Sequence, residues 1–231
     1  MGSVIARSAA VERIFEAARK ALTASRARGA EILALAQTRI EPIITVLGDN
    51  EQQLKQARAE DDAKWAALLA RDEESDREIG SVCDEIWNAM GRPSQSIDYN
   101  LVVNGGKKVW TEGDPTKQPA LMAVLAKNIR NSDHPKLAAR KEEWAKRIEA
   151  KATAQAEAAR PTEGSYAQVT TLTMQRRTLA DALQVGLVRF KRDLKNLGMT
   201  EAQVHEIIPD MPSHGRGSDT PPAPNPAPLP S

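Results

Sequence analysis

The sequence predicts an all-α protein, an elongated antiparallel helical bundle or coiled coil with one small inserted β-hairpin and a disordered proline-rich C-terminal tail. Three observations predict it. Small and apolar residues recur at intervals of three and four over most of the 231 residues, the period of a helix face. Aromatic residues make up only 3% of the chain while alanine, leucine and charged residues dominate, which is the composition of long helices with thin packing. One stretch, residues 100 to 115, departs from that period, placing Asn104-Gly105-Gly106 between short runs rich in β-branched and aromatic residues. The bundle is drawn over residues 1–210: a helical hairpin over about 8–90, a β-hairpin over about 94–117 and further helices over about 118–208, followed by the tail at 211–231.

The first segment carries a stripe at Val11, Phe15, Ala18, Leu22, Ser25, Gly29, Ile32, Ala36, Ile40, Ile43 and Leu47. That spacing predicts one continuous helical stripe with a narrow seam, kinked or briefly broken at Pro42, where the ring removes a backbone donor and disfavours helical geometry at Glu41. At "LGDNEQQL" a turn is expected, with Gly48 as C-cap and Asn50 with Gln53 as a capping-box variant. The second helix then runs from near Glu51 to about Met90, where Gly91 and Pro93 stop it. Its stripe of Leu54, Ala57, Trp65, Leu68, Ile79, Val82, Ile86 and Met90 also passes through Asp61, Asp72 and Asp76. Carboxylates on a seam must meet water or a partner, because a stranded buried charge costs several kcal/mol, about 3–5 when a pair is broken. Arg176, on the stripe of the last long helix, is the partner expected for Asp72 and Asp76.

Beyond the hairpin, Gln118-Pro119 opens a short helix through Ala120, Val124 and Leu125, with proline where its missing N–H does no harm. A thin helix follows from about His134 to Ala159, showing Leu137, Trp144 and Ile148 as its large apolar residues. Arg160-Pro161 is expected to end it. Ser165 and Gln168 then cap a helix whose stripe runs from Tyr166 through Val169, Leu172, Arg176, Leu179, Leu183, Leu187, Phe190 and Leu194 to Leu197, closed by Gly198. Thr200 and Gln203 cap a last short helix. From Met211 onward the chain is rich in proline and poor in large apolar side chains, so it cannot bury enough surface to offset the entropy of ordering. Pro221 and Pro224 form one weak Pro-x-x-P pattern.

Formal charge is near balance at +1, which gives no global field for nucleic acid. Locally, residues 49–78 carry −5 and residues 127–160 carry +4, a complement suited to neighbouring antiparallel helices. The single cysteine, Cys83, sits at helical spacing from Ile79, Val82 and Ile86 and reads as a small buried apolar residue. No signal peptide or membrane span is visible, so a cytoplasmic protein is expected, with leaderless secretion left open.

No enzymatic motif is present. The three histidines, His134, His205 and His214, enter no metal-binding pattern; Glu201 with His205 supplies two ligands at most, and Asp72, Glu73 and Asp76 lack the loop of a calcium site. No catalytic residue, metal, cofactor or small-molecule substrate is assigned. Lys107, Lys108 and Trp110, at the hairpin tip, form the candidate interaction surface, since lysines contact phosphate and an exposed indole stacks on bases. The expected function is a non-enzymatic interaction or scaffolding protein, with a protein partner or a second copy of itself. The alternatives are a membrane-active helical protein resembling pore-forming toxins in architecture, and a nucleic-acid-associated helical protein. Nucleic acid is disfavoured by the interleaved charges, and a resting-state membrane contact by the charged hairpin tip.

Overall fold

The structure, a computed structural model, describes residues 10–92 and 97–208, and all regular structure among them is helical. The proline-rich tail lies outside the described residues. The elements are α1 (Val11–Arg26), α2 (Ala30–Arg39), α3 (Glu41–Ala89), α4 (Ile97–Val102), α5 (Lys107–Thr111), α6 (Gln118–Arg130), a single 3-10 turn (Pro135–Leu137), α7 (Lys141–Asn196) and α8 (Glu201–Ile207). The chain clusters into two compact units, one made of the residues up to Asp49 and from Gln175, the other of Asn50–Met174.

In the first unit, α1 buries Val11, Ile14, Ala17, Ala18, Ala21, Leu22 and Ser25, one face of the helix. The same core takes Ala36, Ile40 and Leu47, then Leu183, Leu187, Phe190 and Leu194 of α7 and Val204 and Ile207 of α8. The single first helix expected from the stripe is three pieces. Gly29 adopts φ 112°, a conformation that L side chains rarely adopt, and turns the chain between α1 and α2. A second break falls at Ile40, two residues before Pro42, so the proline occupies the first turn of α3, where its lost donor is harmless.

The turn expected at Gly48 and Asn50 does not exist: both residues lie inside α3. A Cβ added to Gly48 would lie 3.7 Å from the Phe15 ring, an ordinary contact that leaves room for a side chain there. Asn50 is buried and donates to the Leu172 carbonyl at 3.4 Å. Asparagine serves turns and buried helix contacts alike, and only the partner surface decides between them.

In the second unit, α3 and α7 run antiparallel. Asp61 lies opposite Ser165, Asp72 opposite Gln155, Glu78 opposite Arg147 and Glu85 opposite Arg140. The seam follows a seven-residue repeat on each helix, with Leu54, Asp61, Leu68, Ser75 and Val82 on α3 and Ile148, Gln155, Thr162 and Val169 on α7. The acidic and basic segments read from the sequence meet here, through Glu74 with Lys151 and Glu78 with Arg147.

Pro161 does not break the helix; α7 runs through it for 56 residues. A proline inside a helix costs about 3 kcal/mol, and seam packing on both sides of it outweighs that cost. Polar side chains take up backbone groups around the proline, with Thr162 Oγ1 donating to the Ala159 carbonyl at 2.7 Å. Ser165 and Gln168, expected to cap a new helix, lie inside α7, while the signals expected at residues 198–203 hold. Gly198 closes α7 at φ 81°, and Thr200 with Gln203 makes a complete capping box for α8.

The largest correction concerns the β-hairpin, which is absent: residues 97–102 and 107–111 are helical, and the described residues contain no strand. The Asn-Gly-Gly turn is real, with Gly105 at φ 76° and Gly106 at φ 80°, and it joins two helices instead of two strands. Tertiary contact decides this. Val102, Val103 and Trp110 are drawn into a core with Ile79, Val82, Cys83, Ile86, Met122, Leu125 and Trp144, and helical spacing lets Tyr99 stack edge-on against Trp87 at 5.0 Å.

Candidate functional site

Two features of the second unit carry most of its unusual chemistry, and each contains residues singled out from the sequence. The first is a polar layer in the α3–α7 seam. Apolar packing by Leu54, Ala57 and Leu172 gives way to Asp61, Asp72 and Asp76 before the large core resumes at Ile79. Asp61 accepts from the Ser165 hydroxyl at 2.6 Å. Asp72 accepts from Gln155 Nε2 at 2.6 Å, and the same nitrogen donates to the Pro115 carbonyl at 3.0 Å. Asp76 accepts from Gln118 Nε2 at 3.2 Å, and that nitrogen also donates to the Trp110 carbonyl. Each amide therefore ties a seam carboxylate to the backbone of residues 110–115.

The guanidinium expected to meet Asp72 and Asp76 is engaged elsewhere: Arg176 Nη2 donates to Glu12 at 2.6 Å, within the first unit. Amide side chains take the place foreseen for a cation. This leaves two carboxylates one helical turn apart, and burial together with the charge of Asp72 raises the Asp76 carboxyl to about 6. The sequence does contain a signal for one of these partners. Gln155 follows Ile148 by seven residues, in the seam position, and is fully buried.

The second feature is the outer side of α4, α5 and α6. Lys107, Lys108 and Trp110 are all on α5, but they do not form a common surface. Trp110 is 4% exposed and belongs to the core, so it is no stacking platform. Lys107 pairs with Asp84, and only Lys108 projects into water, loosely paired with Glu112 at 3.9 Å. What faces outward instead is aliphatic. Ile97 is 79% exposed and Leu101 70% on α4, Val109 49% on α5, and Leu121 and Val124 stand out on α6. In a hairpin Ile97 and Leu101 would fall on one alternating face with Tyr99 and Val103; with the period of 3.6 observed, Ile97 and Leu101 turn outward while Val103 is buried.

Around this region the second unit is fixed by an ion network. Glu85 accepts from Trp144 Nε1 at 2.9 Å, Arg147 at 2.8 Å and Arg140 at 2.6 Å. Burial alone would push the Glu85 carboxyl up, but these donors outweigh it and hold it at about 2. Arg130 bridges Glu142 and Glu149, tying α6 to α7. Cys83 is buried and its thiol is pushed up to about 12 by burial, far from a reactive thiolate.

In the first unit, a cleft of about 430 Å³ opens between the α2–α3 break and α7, lined by Arg39, Ile43, Val185, Gly186 and Arg189 among others. Arg39 is held by Asp193 at 2.6 Å. Glu201, the ligand candidate beside His205, is taken by Lys191 at 2.8 Å and Lys195 at 2.5 Å. Among the described residues no group of three or more His, Cys, Asp or Glu side chains is placed to hold a metal ion, and no helix is long and apolar enough to cross a membrane. Compared with known proteins, the chain matches no family model, no curated protein and no solved structure.

Proposed function

We propose that this chain is a non-enzymatic, cytoplasmic interaction or scaffolding protein, and that the outer side of α4–α6 is its contact surface. One observation carries the reading: five aliphatic side chains between Ile97 and Val124 stand outward on helices whose opposite sides are already packed into the core. Exposed apolar patches rimmed by polar residues mark interaction sites, and these five side chains, on short helices close in sequence, are the candidates for one. The α3–α7 seam and the Glu85 network supply a rigid support beneath them. The nucleic-acid alternative loses its best residue, since Trp110 is buried and Lys107 is paired with Asp84.

A second copy of the chain is one partner that this face can take. Light scattering over a range of concentrations tests it, on the natural protein and on the double variant Leu101→Asp, Val124→Asp. Both positions are solvent-exposed, so folding should survive. A mass that rises with concentration in the natural protein and stays monomeric in the variant supports self-association through this face. A strict monomer in both removes self-association.

A further inference from the structure

We infer that the α3–α7 seam holds a divalent cation between the Asp72 and Asp76 carboxylates, the Gln155 amide oxygen and the Pro115 carbonyl. Asp72 and Asp76 stand one helical turn apart on α3, half-buried, and neither forms an ion pair among the described residues. The lysines of this region are engaged with other acids, Lys151 with Glu74 and Lys117 with Asp114. Two carboxylates thus share a part-buried site with no cationic side chain paired to them. Charges taken out of water are tolerated when they are paired or coordinate a metal.

A second observation does not depend on the acids. Gln155 on α7 is fully buried, and its Oε1 has no hydrogen-bond donor. A buried acceptor left in this way calls for a bound water or ion. The same amide reaches the acids: Nε2 is 2.6 Å from Asp72 Oδ1 and 3.0 Å from the Pro115 carbonyl oxygen. Half a turn about the last side-chain bond exchanges Nε2 with Oε1 and brings three oxygens, from Asp72, Pro115 and Gln155, to that spacing. Neighbouring oxygens around a small octahedral cation, bound at about 2.0–2.1 Å, stand about 2.9 Å apart. One ion can therefore hold together the oxygens that the amide now bridges. Asp76 adds a fourth, close enough that the charge of Asp72 acts on its carboxyl.

The donor set selects the kind of ion. Every ligand is an oxygen, which suits a hard cation such as Mg2+ or Ca2+, with water completing the coordination. The two carboxylates balance a double positive charge, so the remaining ligands can be neutral and no third acid is needed. These ligands come from α3, α7 and the chain between α5 and α6. The site is therefore assembled across the seam, without the single loop that marks a calcium site in sequence.

The test is isothermal titration calorimetry of the full chain, stripped with EDTA, against MgCl2 and separately against CaCl2, with the urea midpoint measured with and without each ion. The expected result is one ion bound per chain and a higher midpoint in its presence. Asp72→Asn and Asp76→Asn should each weaken binding about ten-fold or more, since losing a group that merely orients a metal ligand already costs about 10–100-fold. Asp76→Asn keeps an acceptor for Gln118, so the test stands even where Asp72→Asn fails to fold by circular dichroism. Asp62→Asn, exposed on the same helix, should leave binding unchanged. Binding of neither ion to the natural chain overturns the inference and leaves water as the partner of Gln155. Binding that the asparagine variants at 72 and 76 weaken no more than Asp62→Asn does also overturns it, and marks a diffuse counter-ion along an acidic helix.

Discussion

Replacing Asp76 with asparagine should make the protein more stable at neutral pH, although it removes a charge from a hydrogen-bonded pair. In the folded chain Asp76 is half-buried, one turn from Asp72, and no cation is among the groups that act on its carboxyl, which is raised from 3.8 to about 6 by burial and by Asp72. An acid whose folded value is raised binds its proton more tightly when folded than when unfolded. Its ionised form therefore destabilises the fold above about pH 6, and the penalty shrinks as pH falls, vanishing below the unfolded value near 3.8. Taken at full weight the rise is worth about 3 kcal/mol; water reaching a half-buried carboxylate screens it, leaving roughly 1–1.5 kcal/mol at pH 7. Asparagine keeps an oxygen for Gln118 Nε2 and removes the repulsion of Asp72. Urea unfolding followed by circular dichroism should show Asp76→Asn ahead of the natural protein by that amount near pH 7.5, with the gap roughly halved near pH 5 and closed below pH 4. A variant that is less stable at neutral pH, or whose advantage does not change with pH, would refute the reasoning and show that the amide bridge needs the charged acceptor.

Three further substitutions probe the rest of the frame. Gly186→Ala places a Cβ 2.7 Å from the Arg39 carbonyl, a backbone atom that cannot swing away, so the first unit should lose about 1–3 kcal/mol, measurable as a lower urea midpoint. Pro161→Ala restores a donor inside α7 and should stabilise by about 1–3 kcal/mol in the same assay, with no change in helix content beyond the residues near 161. Glu85→Gln loses charge-assisted bonds to Arg140 and Arg147 and should cost about 1–3 kcal/mol at pH 7. Since the Glu85 carboxyl is held at about 2, its contribution is complete above the ordinary glutamate value of 4.5 and fades as pH falls toward 2, so the variant and the natural protein should converge in acid.

The elements that were legible in the sequence are those whose signal is local. The Thr200–Gln203 capping box, the Gly198 stop and the Gln118-Pro119 start each sit within four residues and contain their own hydrogen-bond logic. The apolar stripes were legible as well, and most of their members, Leu54 and Phe190 among them, are buried as expected. Trp65, on the same stripe, is exposed, because a seven-residue seam drifts around a helix and a wide stripe includes residues at its margin. The errors share a different cause. Pro161, Gly48 and the residues flanking Gly105 were read by their own propensities; the α3 seam overrules the first and the core around Trp144 the last, while Gly48 is carried inside α3. A proline penalty of about 3 kcal/mol is small beside the burial along a helix of 56 residues.

The same distinction explains why Lys107, Lys108 and Trp110 do not share one surface. Residues 100–115 depart from the helical stripe of the rest, yet residues 97–102 and 107–111 are helical. Their excess of aliphatic side chains can be arranged with period two or with period 3.6, and the choice decides which of them meet water. In a hairpin, Lys107 and Lys108 would crown a tip and Ile97 and Leu101 would turn inward; as helices, Lys107 folds back to Asp84 while Ile97 and Leu101 turn outward. The cationic tip of a hairpin is accordingly replaced by exposed aliphatic side chains, with Lys108 the exposed lysine of α5.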